Sequence, residues 1–186
     1  MEAATTVFLT SGFAGASMEA IARAAGVTKR TLYRRVKDKA DLFVEVVERY
    51  GRRAGAPQLN HITGDTLEQK LKIASDIMLT WFLAPEAIAL YRLIIADAAR
   101  QPGLGSKVEG PFKRAADAIA AILMQDDPRP AATAQLGADM FLRLVTAEPL
   151  DRAVQGIEPS GMSAATRERA HIAVEFFLAG WKDWRL

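Results

Sequence analysis

A chain of 186 residues, half of them hydrophobic, can bury a sizeable core without a covalent or metal staple. It has no cysteine, which removes disulfides, thiolate zinc sites and thiol nucleophiles together and suits a reducing cytoplasm. The formal charge is only +2, yet residues 1–53 hold ten Lys or Arg against six Asp or Glu, so the basicity is local to the N-terminal end. No apolar run reaches the ~18 residues of a membrane span, and the N-terminus lacks the basic-then-apolar order of a signal peptide, so a cytoplasmic chain without membrane contact is expected.

In chain order, the first informative stretch is 17–43. Ser17 is placed to cap a short helix, with Glu19 facing the partial positive charge of its N-terminus and Ile21 and Ala25 marking one apolar face. Gly26 supplies the left-handed stop, Val27 is expected as a buried pivot, and Thr28 is placed to cap the next helix. So short a link, with Leu32 and Val36 at i, i+4 to bury against Ile21 and Ala25, forces a steep crossing of the helix-turn-helix kind. Lys29 and Arg30 fill the first turn of that second helix, where each cation opposes the macrodipole by roughly 0.3–1 kcal/mol. A polyanion reverses that sign. Thr31, Tyr33, Arg34, Arg35, Lys37 and Lys39 extend the polar surface, giving six cations against the single Asp38 between positions 29 and 39. Phosphates dominate DNA affinity, while Arg, Lys and Thr near the start of a groove-inserted helix reach base edges. The competing interpretation is a helical hairpin with a solvated basic face, since charge runs usually are solvated; they seldom coincide with this turn.

Helical periodicity fills the remainder, so the expected fold is all-α with about nine helices. The fourth helix starts at Asp38, with Asp41 three residues on, and passes through Phe43, Val46, Val47 and Tyr50 before residues 51–57 loosen it. A polar loop is expected at 58–65. The fifth helix carries Leu67, Leu71, Ala74, Ile77, Met78, Trp81 and Phe82, and Pro85 suits the first turn of a sixth reaching about Arg100. Pro102, Gly103 and Gly105 make the next break, and a seventh helix runs to about Gln125 with a kink at Gly110-Pro111. The eighth helix carries Leu136, Met140 and Leu144 on one stripe with Phe141 and Val145 beside it, and Pro149 is expected to kink or shorten it. Ser163 caps a ninth, with Ile172, Phe176, Gly180 and Trp184 on one stripe and Ala173, Phe177 and Trp181 on its neighbour.

That ninth helix is apolar over too wide an arc to face one core, which points to burial on a second side by another copy of the chain. A twofold homodimer through helices eight and nine, with Phe141, Val145, Phe176, Phe177, Gly180 and Trp184 at the interface, would present two recognition helices to a near-palindromic operator. The alternative is that the stripes are intramolecular core. Met78, Trp81, Phe82, Tyr91, Phe112, Met140 and Phe141 are large and soft enough to line a pocket between helices five to eight, although an aromatic or Met at helical spacing is more often plain core.

The motifs of the N-terminal end resemble those of the TetR family of bacterial transcriptional repressors. Phe8 to Gly12-Phe13, Ser17 to Ala25, Gly26-Val27, Thr31-Leu32-Tyr33, and Lys39 to Leu42-Phe43 match the family's pattern in order. The resemblance implies that Ser17, Thr28, Tyr33 and Lys39 bind phosphates and that Lys29, Arg30, Thr31 and Arg34 lie at or near the bases. Two positions depart from the pattern: Val36 replaces the usual aromatic, and the sequence starts at Met1-Glu2-Ala3-Ala4 where the family's first helix normally has another turn and a basic arm before it, so that either the choice of start removed the arm or the protein forgoes it. If this protein forgoes that arm, weaker binding with a shallower salt slope is expected. The segment from Leu90 to Gly105, followed by Gly110-Pro111, is similar to the C-terminal domain of the AefR-like branch, which implies a hydrophobic small-molecule effector and dimerisation through the last two helices.

Enzymatic alternatives find little footing. Glu168-x-x-His171 has the spacing of di-iron bundles, but these need two such motifs and two further glutamates, and His61 has no partner spacing. Neither a dinucleotide or phosphate-binding glycine pattern nor a Gly-x-Ser-x-Gly elbow occurs. The expectation is therefore a non-enzymatic operator-binding regulator, without metal or cofactor, built from a helix-turn-helix domain over 1–48 and a ligand-binding and dimerisation domain over 49–186. A repressor released when ligand swings the fourth helix is the first reading; a protein of the same fold that no longer binds an operator is the second.

Overall fold

The structure, a computed structural model, describes residues 1–54, 59–98, 100 and 104–184. Among them are ten helices and no strand: α1 (Glu2–Gly15), α2 (Met18–Ala24), α3 (Lys29–Tyr33), α4 (Lys39–Ala54), α5 (Leu67–Phe82), α6 (Pro85–Ala98), α7 (Leu104–Lys107), α8 (Gly110–Asp126), α9 (Ala131–Gln155) and α10 (Ala164–Asp183). The chain forms two compact units, Met1–Gly51 with Ala89–Pro111, and Arg52–Ile88 with Phe112–Leu186. Each change of unit falls inside a helix, in α4, α6 and α8.

The first unit is organised by three phenylalanines. Phe8 and Phe13 lie five positions apart, which would put them on different faces of a continuous helix. Gly12 breaks α1 with φ +71° and ψ 169°, a conformation open to glycine, and the chain folds back so that the Phe13 ring stacks on Phe8 at 6.0 Å. Phe43 of α4 meets both rings edge-on, at 5.0 and 5.4 Å. Burying each ring contributes about 1.5–3 kcal/mol. Ile21, Leu42, Val46, Leu90, Leu104 and Val108 complete this core, so the later part of α6 and α7 pack with the N-terminal helices.

Helix α2 ends in a Schellman motif: Gly26 has φ +64°, its N–H donates to the Arg23 carbonyl at 3.1 Å, and that of Val27 donates to Ala22 at 3.0 Å. Here two expectations fail. Val27 is exposed rather than a buried pivot, because the motif folds its N–H back onto the helix and turns its side chain outward. Ala25 is also exposed, because α2 stops at Ala24; the buried stripe is Met18, Ile21 and Ala22, an i, i+3, i+4 set. Asp38 accepts from the Asp41 N–H at 2.8 Å and starts α4 as expected. The expected loosening does not begin at Gly51, because α4 stays helical to Ala54 with Gly51 buried; residues 55–57, like Pro102 and Gly103, lie outside the described residues.

In the second unit α5, α9 and α10 pack mutually around Leu71, Met78, Phe141, Val145, Val174 and Leu178. Thr66 caps α5 by accepting from Gln69 N–H at 3.2 Å, and Ser163 caps α10 by accepting from Thr166 N–H at 3.0 Å. Gly137 of α9 sits under Trp181 of α10; a Cβ there would lie 2.2 Å from the ring, so only glycine permits this approach. Arg129, in the loop before α9, stacks over Trp181 at 4.3 Å and donates to the carbonyls of Trp181 (2.8 Å) and Trp184 (2.5 Å), closing the C-terminal end of α10.

Two proline expectations are corrected. Gly110-Pro111 does not kink one helix but separates α7 from α8, with Pro111 in the first turn of α8, where a missing N–H removes no helical bond. Helix α9 is not shortened by Pro149: it runs on to Gln155, where Gly156 at φ +75° caps it. Pro149 lies inside α9, six residues before its end, where it removes one helical N–H donor, and it and Leu150 are both buried in the packed unit.

Candidate nucleic-acid interface

Helix α3 is held from beneath and bare on top. Leu32 packs against the first unit's core and Val36, just past the helix end, is buried within it. Thr28 caps the helix, its Oγ1 accepting from Thr31 N–H at 3.1 Å and lying 2.9 Å from Thr31 Oγ1. Lys29, Arg30, Tyr33 and Arg34 are all exposed on the opposite side, with no acidic residue in the first turn. Among the described residues none of Lys29, Arg30 and Arg34 forms an ion pair; Lys29 and Arg30 stand in water in the first turn, where the helix dipole disfavours cations, and Arg34 stands at the C-terminal cap. Ser17 is likewise exposed; its Oγ accepts from Ala20 N–H at 3.1 Å, which leaves the hydroxyl proton for an acceptor outside the chain.

Lys39 is placed differently from the residues around α3. Its ammonium donates to the carbonyls of Ala14 (3.2 Å) and Ala16 (2.9 Å) and lies 4.7 Å above the Phe13 ring. Two of its three N–H groups therefore tie α4 to the end of α1.

The seven residues expected around a pocket do not share one place. Met78, Trp81, Phe82 and Phe141 are buried in the second unit, with Trp81 and Phe82 in contact at 4.4 Å and Phe112 stacked on Phe82 at 4.4 Å. Tyr91 belongs to the first unit. Met140 is 56% exposed on the outer face of α9. The expected interface residues also divide: Phe141 and Val145 point into their own core, whereas Phe176 is 74% exposed and Gly180 is open. What lies outward on α9 is the neighbouring stripe, Leu136, Met140 and Leu144. The sequence held one clue to this. Ala134, Gly137 and Ala138 share the face of Phe141, and small residues mark the side on which helices approach closely.

His171, of the Glu-x-x-His pair, contacts Asp76 at 3.1 Å, and Arg167 reaches the same carboxylate at 3.3 Å. Among the described residues no three His, Asp or Glu gather as a metal-holding group, and no single helix is long and apolar enough to cross a membrane.

Comparison with known proteins places these features. The profile described as bacterial regulatory proteins of the tetR family matches residues 1–46, and that of the AefR-like transcriptional repressor C-terminal domain matches residues 69–183. No curated protein matches the chain. Among solved structures, a regulator from Mesorhizobium loti MAFF303099 assigned to the TetR family is 28% identical, with a TM-score of 0.76 over 96% of this chain and 92% of that one. The flavonoid-responsive regulator FrrA is 26% identical, with a TM-score of 0.74 over 96% and 93%. FadR from Bacillus subtilis in complex with stearoyl-CoA shares the fold at 18% identity, with a TM-score of 0.65 over 96% of both chains. The chain belongs to the TetR family of bacterial transcriptional regulators and carries a C-terminal domain of the AefR-like type.

Proposed function

We propose that this protein is a homodimeric repressor that holds a near-palindromic operator and releases it when a hydrophobic small molecule binds. The observation that carries the DNA part is the exposed set Lys29, Arg30 and Arg34, without an ion pair among the described residues, with Lys29 and Arg30 set against the helix dipole. Lys29, Arg30, Thr31 and Arg34 take the base edges, and Ser17, Thr28 and Tyr33 take phosphates, positioning residues 1–48 on the duplex. Lys39 has one N–H left for a phosphate and serves mainly to fix α4 against α1.

Residues 49–186 supply the sensor and the dimer. The aromatic contacts of Trp81, Phe82 and Phe112 support an apolar or aromatic effector, the chemistry of a flavonoid or a long acyl chain. Met78 and Phe141 would border it. The ligand acts by linkage, favouring a state in which α4 has swung and the two recognition helices no longer reach successive major grooves. The protein works in the cytoplasm, where its operator lies.

Retention of fragments of the source genome on the purified protein, followed by mobility shift with Lys29→Ala and Arg30→Ala, tests the reading. A retained sequence with two related half-sites, lost in both variants, is the expected result. Retention that ignores sequence, or that both variants share, overturns it and leaves a ligand-binding protein of the same fold.

A further inference from the structure

Among the described residues three polar or charged side chains are buried: Ser75, Thr146 and Asp97. Ser75 donates to the Lys72 carbonyl and Thr146 to that of Leu142, each at 2.7 Å, so both are satisfied within their own helices. Asp97 is 5% exposed, and among the described residues its carboxyl group has no hydrogen bond and no ion pair. Ionised or not, a carboxyl group taken out of water without a partner is a costly burial.

The cost falls on the stripe of α6 that closes the N-terminal core. Leu90 belongs to the cluster of Phe8, Phe13 and Phe43, Leu93 and Ile94 pack against it, and Asp97 follows Leu90 at i+7 on the same face. Leu32, which holds α3 from beneath, packs against the same cluster. A leucine at position 97 would extend the stripe without the penalty, so stability alone does not account for the acid. Just beyond the helix, Arg100 donates its backbone N–H to the Asp97 carbonyl at 3.0 Å; its side chain is exposed and has no ion pair among the described residues. The two residues are spaced i, i+3, at which side chains of a helical turn can meet, yet one is buried and the other stands in water.

Resting on the operator-binding reading above, we propose that Asp97 is a positioning residue that keeps the end of α6 poised between two states. In the state of this structure Asp97 is buried, Leu93 and Ile94 are seated on the phenylalanine cluster, and α3 is held firm for the operator. In the other the last turn of α6 has loosened, Asp97 is hydrated beside Arg100, and the support beneath Leu32 is slack. Water supplies most of the gain in the second state and Arg100 the smaller part, since exposed ion pairs are weak. A leucine would fix the packed state, whereas the acid keeps the two close enough in free energy for a modest bias to shift them.

Amide exchange of the full chain, beside operator affinity by mobility shift, tests this. Asp97→Leu is expected to slow exchange in the last turn of α6 by about tenfold and to tighten operator binding several-fold, and Asp97→Met, whose side chain adapts to an imperfect fit, to act in the same direction. Arg100→Gln is expected to move both readouts the same way by about twofold alone and not at all in the Asp97→Leu background. Faster exchange in both Asp97→Leu and Asp97→Met would mean that the acid supports the fold, and overturns the proposal. Slower exchange with unchanged operator binding overturns it as well, as does an Arg100→Gln effect that persists beside Asp97→Leu. A wild-type chain that retains no operator overturns the DNA reading and the operator half of this proposal, and the exchange rates then judge the two states of α6 by themselves.

Discussion

The surface of α3 and the outer surface of α9 and α10 are opposite in chemistry and alike in logic. One gathers cations at a helix end that repels them; the other leaves Phe176, Ile172 and Met140 in water. Neither arrangement favours the isolated chain. What differs is the depth of commitment: α3 is five residues held by Leu32 and the adjoining Val36, whereas the α9–α10 face is carried by two long helices fastened through Gly137, Trp181 and Arg129. A reader of grooves can be a small rigid protrusion, while a surface that must exclude water over a large area needs a deep foundation.

The sharpest way to break this comparison is at α3. Replacing Lys29 and Arg30 together by alanine is expected to lower operator affinity by roughly a hundredfold or more, at about 1–3 kcal/mol for each lost contact, while thermal stability stays level or rises slightly as the dipole conflict disappears. Mobility shift beside a thermal melt reads both signs. A fall in stability would mean that these cations support the fold. Beneath the other surface, Gly137→Ala drives a methyl into the Trp181 ring and is expected to destabilise the protein by about 1–3 kcal/mol, seen as a lower denaturant midpoint. An unchanged midpoint would show that α9 and α10 do not depend on this approach. Arg129→Ala removes two carbonyl contacts and the stack on Trp181, and is expected to destabilise by about 1–2 kcal/mol with faster amide exchange in the last turn of α10.

Lys39→Ala probes the boundary between the two kinds of role. Operator affinity is expected to fall without the decrease of about one in salt slope that a lost phosphate contact gives, because Lys39 acts on α1. A shallower slope would return it to the phosphate. The smallest effect is expected at Lys72, whose ammonium lies 2.7 Å from both Glu175 and Glu68. Its hydrogen bond to Glu175, then that to Glu68, holds the Lys72 pKa above the ordinary lysine range, and Lys72 in turn holds the Glu68 carboxyl below its ordinary value. The lysine's share of stability is present below the ordinary lysine pKa and lost as pH rises through the raised one. That of Glu68 is present above the ordinary carboxylate pKa and lost as pH falls through the lowered one. Lys72→Met is therefore expected to flatten both limbs slightly in a melt-versus-pH series, since these side chains are solvated.

The helix starts were legible in the sequence because a cap is a local event: Ser17, Thr28, Asp38 and Ser163 each accept an N–H three residues on. So was the bare basic side of α3, which needs only periodicity. Long-range packing was not. Leu136, Met140 and Leu144 and their neighbours Phe141 and Val145 are equally apolar stripes, and only the approach of α5 and α10 decides which turns inward. Lys39 looked like one more cation in a basic run, because its partners Ala14 and Ala16 are backbone carbonyls and carry no side-chain signal. Val27 was misjudged for a related reason: its hydrophobicity suggested burial, while the turn geometry that faces it outward is set by Gly26.

Leu90, Leu104 and Val108 close over the phenylalanine cluster of the N-terminal helices although they come from the middle of the chain. The reading head is thus not a bead that can be snipped off and strung elsewhere. A fragment ending at residue 48 would leave Phe8 and Phe43 without part of their lid and would aggregate or melt early, and a chimaera grafting this head onto a foreign sensor would have to bring 89–111 along. On the proposed reading of α3, swapping specificities between relatives is correspondingly easier through point changes on α3 than through exchange of whole segments.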